Sequence, residues 1–263
     1  MGEYREDTRV TKVSDTLWKG VVTPRWNIGA IPNGGYLMGI AVNVIREGLP
    51  HPDPLTITGH YIDRGEAGDC DIAFENIREG RSVSTGCARL IQGGRERARF
   101  TATYGDLSRT RGETWIGTQP PAWPDPDRCL QMPKTLAIHD RLDMLFAPEE
   151  GAWIKGDLSG KPEHLLTFRF ADGSDPDVLS LPFFCDCVPP TVFAVYGFAG
   201  WVPTLELTVQ VRARPAPGRL LGRFITRYLT NGLLEVDGEI WDSANQLVAL
   251  SRQLAKYRKP DPV

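Results

Sequence analysis

The sequence lacks any long hydrophobic run. Its 263 residues contain no stretch of about 18 consecutive apolar residues, so no helix able to cross a bilayer is expected. Basic residues are not clustered either, and the formal net charge is -3. Proteins that bind nucleic acid normally carry a basic patch, so nucleic acid is not expected as a partner.

Cysteines are few and scattered. The five of them are an odd number, in a chain large enough to bury a core without disulfide bonds. We therefore expect reduced thiols and, because the N-terminal segment is too polar for a secretory signal, a cytoplasmic protein. Cys185 and Cys187 are close in sequence, but no second Cys or His pair accompanies them, so no metal site is expected.

One helix is predicted directly behind a glycine-rich turn. Asn33-Gly34-Gly35 is a turn signal, because glycine tolerates positive φ and lets the backbone approach another group closely. Residues 36–45 are apolar on most sides, which is typical of a helix wrapped by other elements. Its first N–H groups could bind an oxyanion or a carbonyl oxygen, but a buried core helix fits these residues equally well.

Strands with a side-chain period of two dominate the rest of the chain. They are predicted at 55–62, around Ile72 and Phe74, and at 82–92, 98–104, 138–146, 165–170, 204–211, 220–228, 233–242 and 247–257. An apolar helical run at 178–196 is interrupted by Pro189-Pro190. The proline-rich segment 108–134 is interpreted as an extended connector.

The two halves of the chain repeat the same order of elements. The segment from Pro54 to Gly68 corresponds to the segment from Thr204 to Gly218, which indicates an internal duplication of a unit of about 120 residues. A curved antiparallel sheet around one long helix, occurring twice, predicts an α+β double hotdog fold with the sheets joined edge to edge. The predicted division is an N-terminal hotdog repeat at 1–107, a connector at 108–134 and a C-terminal hotdog repeat at 135–263.

Several short motifs occur in a characteristic order. They are Pro32-Asn-Gly-Gly-Tyr36, His51-Pro-Asp-Pro54, Gly80-Arg-Ser-Val-Ser84 with Gln92, Asp186 with Pro189-Pro190, Pro203-Thr-Leu-Glu-Leu-Thr208, Trp241-Asp242 after Gly232, and Leu247 to Gln253. Each motif is short, but the series in order and spacing is more specific. Over about residues 10 to 257 the sequence resembles the TesB-like acyl-CoA thioesterases, the thioesterase II type of the double-hotdog superfamily.

The resemblance implies an activity and three catalytic residues. Members of that family hydrolyse acyl-CoA thioesters without a metal or an enzyme nucleophile, so no cofactor is expected, coenzyme A being part of the substrate. An Asp, a Thr and a Gln of the second repeat hold a water against the thioester carbonyl. Matched motif by motif, these residues are Asp186, Thr204 and Gln253.

The residues themselves tolerate these roles without requiring them. Asp186 lies in an apolar run, where a carboxylate is either a satisfied structural cap or a general base with a raised pKa. Thr204 is expected on the polar face of its strand together with Glu206, which is a rival base. Gln253 alternates with small residues, a pattern that a surface glutamine would also show.

The substrate contacts are expected in the first repeat and between the helices. The amides of Gly34 and Gly35, beside Asn33, are the expected oxyanion donors, because the two repeats would face each other there. The residues expected along the acyl chain are Met38, Val42, Phe184 and Val188. The basic residues expected near the CoA phosphates are Arg64, Arg78 or Arg81.

Other functions remain open at this stage. A hotdog enoyl-CoA hydratase or dehydratase normally needs an Asp/His pair, and no His follows Asp186 in its element. A non-catalytic acyl-CoA or lipid-binding protein, and a scaffold without a ligand, are further alternatives. His60 is expected to be structural or to line the pocket and not to act as a triad base, since no Ser or Cys elbow accompanies it. A homodimer or higher homo-oligomer is plausible, and the acyl group is not specified.

Overall fold

The computed structural model describes residues 2–198 and 201–258. Its helices are α1 (Glu3–Asp7), α2 (Gly34–Gly48), α3 (Ala137–Asp140), α4 (Leu181–Phe184) and α5 (Phe193–Tyr196). The strands are β1 (Val10–Ser14), β2 (Leu17–Val22), β3 (Asn27–Ile28), β4 (Ile31–Pro32), β5 (Asp53–Tyr61), β6 (Gly68–Glu79), β7 (Ser84–Gln92), β8 (Arg95–Gly105), β9 (Leu130–Gln131), β10 (Leu142–Phe146), β11 (Glu163–Phe170), β12 (Thr204–Val211), β13 (Leu220–Ile225), β14 (Leu229–Thr230), β15 (Leu233–Trp241) and β16 (Leu247–Lys256).

The described strands build a 14-stranded antiparallel sheet that runs through both halves of the chain. Its order is β1-β2-β6-β7-β8-β5 in the first half and β12-β16-β15-β13-β11-β10-β9 in the second, with β14 paired to β15. The halves join edge to edge where β5 pairs with β12. At this junction Thr58 lies opposite Thr208, and their hydroxyl oxygens are 2.9 Å apart. The predicted double hotdog architecture with joined sheets is confirmed.

Helix α2 is wrapped by the first-half sheet, as the apolar pattern predicts. Its N-terminus is capped by Asn33, whose side-chain oxygen accepts a hydrogen bond from the Tyr36 N–H over 2.9 Å. Met38 and Val42 are fully buried, and the Tyr104 hydroxyl of β8 donates to the Val42 carbonyl over 2.7 Å. Burial of the helix on nearly all sides stabilises it far more than its local sequence would.

The second half differs from the prediction of one long helix in each repeat. In the segment predicted as helical the structure has two four-residue helices, α4 and α5. Pro189 and Pro190 have no backbone N–H to continue a helix, and Gly197 ends α5 with φ of 74°. This half of the chain therefore has no long helix like α2 among the described residues.

The segment between the repeats is largely exposed, and its end joins the second-half sheet. The Trp123 indole N–H donates to Asn245 Oδ1 over 2.7 Å, and β9 pairs with β10. The strand predicted at 138–146 is part helix (α3) and part strand (β10). The division at 1–107, 108–134 and 135–263 stays a prediction.

Across residues 2–198 and 201–258, no helix has both the length and the apolar composition to cross a membrane. All five cysteines are unpaired thiols.

Candidate active site

The carboxylate of Asp186 receives hydrogen bonds from both halves of the chain. Asp186 follows α4 and is half-buried. Its Oδ2 accepts from the Gly35 backbone N–H over 2.7 Å and from Asn33 Nδ2 over 2.9 Å. Its Oδ1 accepts from Gln253 Nε2 over 2.8 Å. Desolvation raises the pKa of Asp186 to about 6, and the hydrogen bonds from Gly35 and Asn33 oppose that rise.

Thr204 and Gln253 complete a hydrogen-bonded group with Asp186. Gln253 Nε2 also donates to Thr204 Oγ1, over 2.6 Å. Thr204 opens β12 and Gln253 lies on β16, the strand that pairs with β12. The three residues singled out in the sequence are therefore adjacent in the fold.

A β-bulge at Leu205 brings Thr204 to this group. Thr204 lies opposite Ala255, but Glu206 lies opposite Leu254, so the register shifts by one residue between them. The bulge places Thr204 and Glu206 on opposite faces of the sheet, although they are two residues apart. This corrects the expectation that both lie on one polar face.

Glu206 is not a rival base in this arrangement. Its Oε1 accepts a hydrogen bond from the Thr208 hydroxyl over 2.6 Å, on the face away from Gln253. His60 lies directly opposite Glu206 on β5 and is exposed. Neither residue borders the cavity described below.

Position 35 requires glycine because the segment around Phe183 and Asp186 packs directly against it. A Cβ atom at this position would lie 2.8 Å from Asp186 Cβ and 3.0 Å from Phe183 Cα. The Gly35 N–H donates to Asp186, so it is not available as an oxyanion donor, contrary to expectation. The Gly34 N–H has no acceptor among the described residues, and Gly34 borders the cavity.

A cavity of about 960 Å³ lies beside these residues, mainly in the second half. Asn33, Gly34, Asp186, Thr204 and Gln253 all border it. Most of its wall is apolar, and its aromatic members are Tyr61, Trp153, Phe193, Phe198, Trp201 and Phe224.

The acyl-chain residues expected from the sequence are mostly elsewhere. Met38, Val42 and Phe184 are fully buried in the packed core and do not border the cavity, whereas Val188 does. Met38 and Val42 are enclosed because the first-half sheet packs closely around α2. Phe184 is enclosed because its ring packs against Phe168 and Phe170.

Of the three arginines expected near the CoA phosphates, one borders the cavity. Arg64 is exposed at the border of the cavity. Arg78 and Arg81 lie at the connection between β6 and β7 and do not border it.

The cysteines next to Asp186 are poor nucleophiles. Burial raises the pKa of the Cys185 thiol to about 12 and that of Cys187 well above its usual value. Both thiols are therefore neutral at physiological pH. Within the described residues, no three His, Cys, Asp or Glu side chains are grouped closely enough to hold a metal ion.

Among the described residues that border the cavity, three that sequence reasoning missed have a buried side-chain polar atom without a hydrogen-bond partner: Tyr61, His139 and Trp153. None belongs to a recognisable motif. Only the scarcity of histidine, with four in the chain, could have drawn attention to His139.

Comparison with known proteins places both halves of the chain in one family. Residues 22–105 match the family model of the acyl-CoA thioesterase N-terminal domain, and residues 115–256 match that of the acyl-CoA thioesterase C-terminal domain. A protein of Thermobifida fusca described as a candidate thioesterase II superposes with a TM-score of 0.91 at 28% sequence identity, covering 98% of each chain.

Two further solved structures share the fold at lower identity. A protein of Alicyclobacillus acidocaldarius described as having a hot dog fold has a TM-score of 0.86 at 20% identity, covering 99% of this chain and 100% of its own. The acyl-CoA thioesterase II TesB2 of Mycobacterium marinum has a TM-score of 0.76 at 19% identity, covering 98% of this chain and 99% of its own. The chain belongs to the family of TesB-like acyl-CoA thioesterases.

Proposed function

We propose that this protein hydrolyses an acyl-CoA thioester to the free acid and CoA, using a water molecule activated by Asp186. The observation that carries the proposal is the hydrogen-bonded group of Asp186, Gln253 and Thr204 at the border of a large apolar cavity. A site for an acyl chain needs such an apolar wall with a few polar groups at one end.

The proposed position of the water rests on the hydrogen bonds that these side chains already make. Both protons of Gln253 Nε2 have acceptors, Asp186 Oδ1 and Thr204 Oγ1. The Thr204 hydroxyl keeps its own proton to donate, and Asp186 Oδ1 keeps a second lone pair. A water that accepts from Thr204 and donates to Asp186 is thereby held with its oxygen lone pair free for attack.

The raised pKa of Asp186 suits a general base. With a pKa of about 6 the carboxylate is mostly ionised at neutral pH, and it is more basic than an ordinary aspartate. It takes the proton as the water oxygen bonds to the thioester carbon. The hydrogen bonds from Gly35 and Asn33 hold the carboxylate in place during this transfer.

Negative charge also develops on the thioester carbonyl oxygen and on the sulfur of the leaving group. We assign the Gly34 N–H as donor to the developing oxyanion, since it borders the cavity and has no acceptor among the described residues. When the C–S bond breaks, the electron pair leaves on sulfur. A thiol with a pKa of ~8.5 is a good leaving group, so strong acid assistance is unnecessary. Arg64 is the proposed contact for the CoA phosphates.

A hydratase has less support than a thioesterase. Its reaction would need a His beside the carboxylate. In the described part of the chain, the side chains that hydrogen-bond to the Asp186 carboxylate are those of Asn33 and Gln253. A protein that binds acyl-CoA without turnover would keep the cavity but would not depend on Asp186.

The test is thiol release from short, medium, long, branched and aromatic acyl-CoAs, with an Asp186→Asn variant beside the wild type. We expect turnover on at least one substrate and a fall of about a hundredfold or more in kcat in the variant, with binding retained. Tight binding without turnover would indicate the non-catalytic protein, and full activity of the variant would place the base elsewhere.

The compartment and the oligomeric state also remain proposals. Five unpaired cysteines support a reducing compartment such as the cytoplasm. The two repeats already pair within the chain, as single hotdog domains pair between chains. A further homodimer of the whole chain is proposed, and sedimentation analysis would test it.

A further inference from the structure

Helix α1 is anchored to both halves of the chain. On the side of the second half, the Glu3 carboxylate accepts two hydrogen bonds from Arg141 Nη1, at 2.8 and 3.1 Å. On the side of the first half, the Asp7 carboxylate pairs with Arg25 and accepts a hydrogen bond from the Trp26 indole N–H over 2.8 Å. Because the helix is anchored at both ends, the side chains between these anchors have fixed positions.

Tyr4, between these anchors, lies between helices α2 and α4. It is 4% exposed, and its ring packs against Phe183 of α4 at a centroid distance of 5.0 Å and against Phe170 of β11 at 5.2 Å. Its hydroxyl lies so close to α2 that a Cβ atom at Gly39 would overlap it. Among the described residues the hydroxyl has no hydrogen-bond partner, so Tyr4 contributes the volume of its ring to this contact.

The contact of Tyr4 with α2 lies one helical turn from the contact of Asp186. Gly35 and Gly39 are four residues apart and therefore lie on the same face of α2. At Gly35 the helix meets Phe183 and Asp186. At Gly39 it meets Tyr4, which also packs against Phe183. The separation of α2 and α4 on this face is therefore set by the rings of Tyr4 and Phe183 together.

We propose that Tyr4 is a positioning residue for the Asp186 carboxylate. By filling the space between α4 and α2, it sets the length and direction of the hydrogen bond that the Gly35 N–H donates to that carboxylate. Tyr4 does not border the cavity, so it acts through the two helices and not through the substrate. The inference rests on the proposed function, in which a displacement of about 1 Å at a reacting group can lower the rate by about a hundredfold.

The test replaces Tyr4 by a side chain that is apolar but smaller. In Tyr4→Leu we expect kcat on the best acyl-CoA to fall about tenfold or more while KM changes less than about threefold, because the cavity wall is untouched. Tyr4→Phe keeps the ring and loses only a hydroxyl without a partner, so it should keep kcat within about twofold of the wild type. This rescue by the ring would show that volume matters at this position.

Phe74→Leu is the matched control for loss of packing against α2. Phe74 is buried against the other end of the helix, where a Cβ atom at Gly48 would overlap its ring. That contact is roughly 20 Å along the helix from Gly35, so the variant should lose stability but keep kcat within about twofold. Glu3→Gln weakens one anchor of α1 without removing a core side chain. It should lower kcat by about twofold to fivefold, and it keeps the inference testable if Tyr4→Leu does not fold.

A spectroscopic measurement without substrate separates this inference from the proposed function. The amide proton of Gly35 donates to Asp186 over 2.7 Å, and its resonance is followed by proton–nitrogen NMR in the wild type and the variants. A longer hydrogen bond moves such a resonance upfield, so we expect an upfield shift in Tyr4→Leu and none in Phe74→Leu. If the wild type cleaves no acyl-CoA, the proposed function fails, and this resonance alone decides whether Tyr4 positions the carboxylate.

Three results would overturn the inference. The first is a Gly35 resonance that stays in place in Tyr4→Leu, or in Glu3→Gln where the Leu variant does not fold. The second is an active wild type whose kcat is unchanged in the same variant. The third is an equal loss of kcat in Phe74→Leu, which would attribute the effect to general loss of packing around α2.

Discussion

The backbone N–H of Gly35 and the carboxylate of Asp186 form a hydrogen bond of 2.7 Å between the two repeats. The donor lies in the first turn of the long helix of the first repeat, and the acceptor lies after a short helix of the second. The carboxylate is therefore positioned by a backbone amide of the first repeat as well as by the side chains of Asn33 and Gln253.

Replacing Gly35 by Ala should disrupt this contact. The added Cβ would lie 2.8 Å from Asp186 Cβ and 3.0 Å from backbone at Phe183, so the helix start and the carboxylate must move apart. We expect a loss of about 1–3 kcal/mol in the free energy of unfolding and at least a tenfold loss of kcat. Denaturant unfolding and thiol-release assays measure the two effects. Gly117→Ala, in the exposed connector beside the exposed Trp115, should change neither.

The pH dependence should report the raised pKa of Asp186. The base works only when ionised, so kcat/KM should fall as the pH drops through about 6 and should be level above that value up to the next ionisation. If the base had the pKa of an ordinary aspartate, ~3.9, kcat/KM would fall only at a pH about two units lower. A profile of kcat/KM against pH, measured on one acyl-CoA, distinguishes a raised from an ordinary pKa of Asp186. A fall in kcat/KM only near pH ~4 would contradict a desolvated base.

Thr204 and Gln253 should affect turnover more than binding. Thr204→Val removes the hydroxyl that would donate to the water, and Gln253→Ala removes the link between Thr204 and Asp186. We expect kcat to fall by about tenfold to a thousandfold in each, with KM little changed. Steady-state kinetics measures both constants.

Matched controls lie on β12, on the face of the sheet opposite to Thr204 and Gln253. Thr208→Val and Gln210→Ala alter β12 without touching the cavity. If these controls lost as much kcat as the two site variants, the effect would come from the strand and not from the water site.

The lining of the cavity predicts which residues limit the length of the acyl chain that the enzyme accepts. Val236 of β15 borders the cavity, so Val236→Phe should shorten it. We expect kcat/KM for the longest accepted acyl-CoA to fall about tenfold or more, with short acyl-CoAs little affected. Val21→Phe, at a half-exposed position on β2, is the control. An equal loss for all chain lengths would mean that the acyl group lies elsewhere.

Much of the architecture could be predicted because it depends on local patterns. The period-two strands, the glycine turn before α2 and the repeat spacing all report side-chain burial along a single element. The adjacency of Asp186, Thr204 and Gln253 was predicted through the family resemblance, and their chemical roles stay predictions. The repeated order of elements predicted the double hotdog fold, and the order of the motifs predicted the acyl-CoA thioesterase family.

Two of the corrections to the sequence-based predictions depend on contacts between distant segments. Simple alternation would place Thr204 beside Glu206, and a one-residue bulge against β16 reverses this. The Gly35 amide was expected to serve the oxyanion, but the approach of Asp186 from the other repeat occupies it.

The sequence by itself determined most of the strands and helix α2, because burial periodicity and turn propensity act within a few residues. The candidate residues Asp186, Thr204 and Gln253 came from the family resemblance. The tertiary structure alone decided which amide is free, which face Thr204 occupies and where the cavity lies. These depend on strand register and on how the interrupted second helix packs, and contacts between distant segments set both.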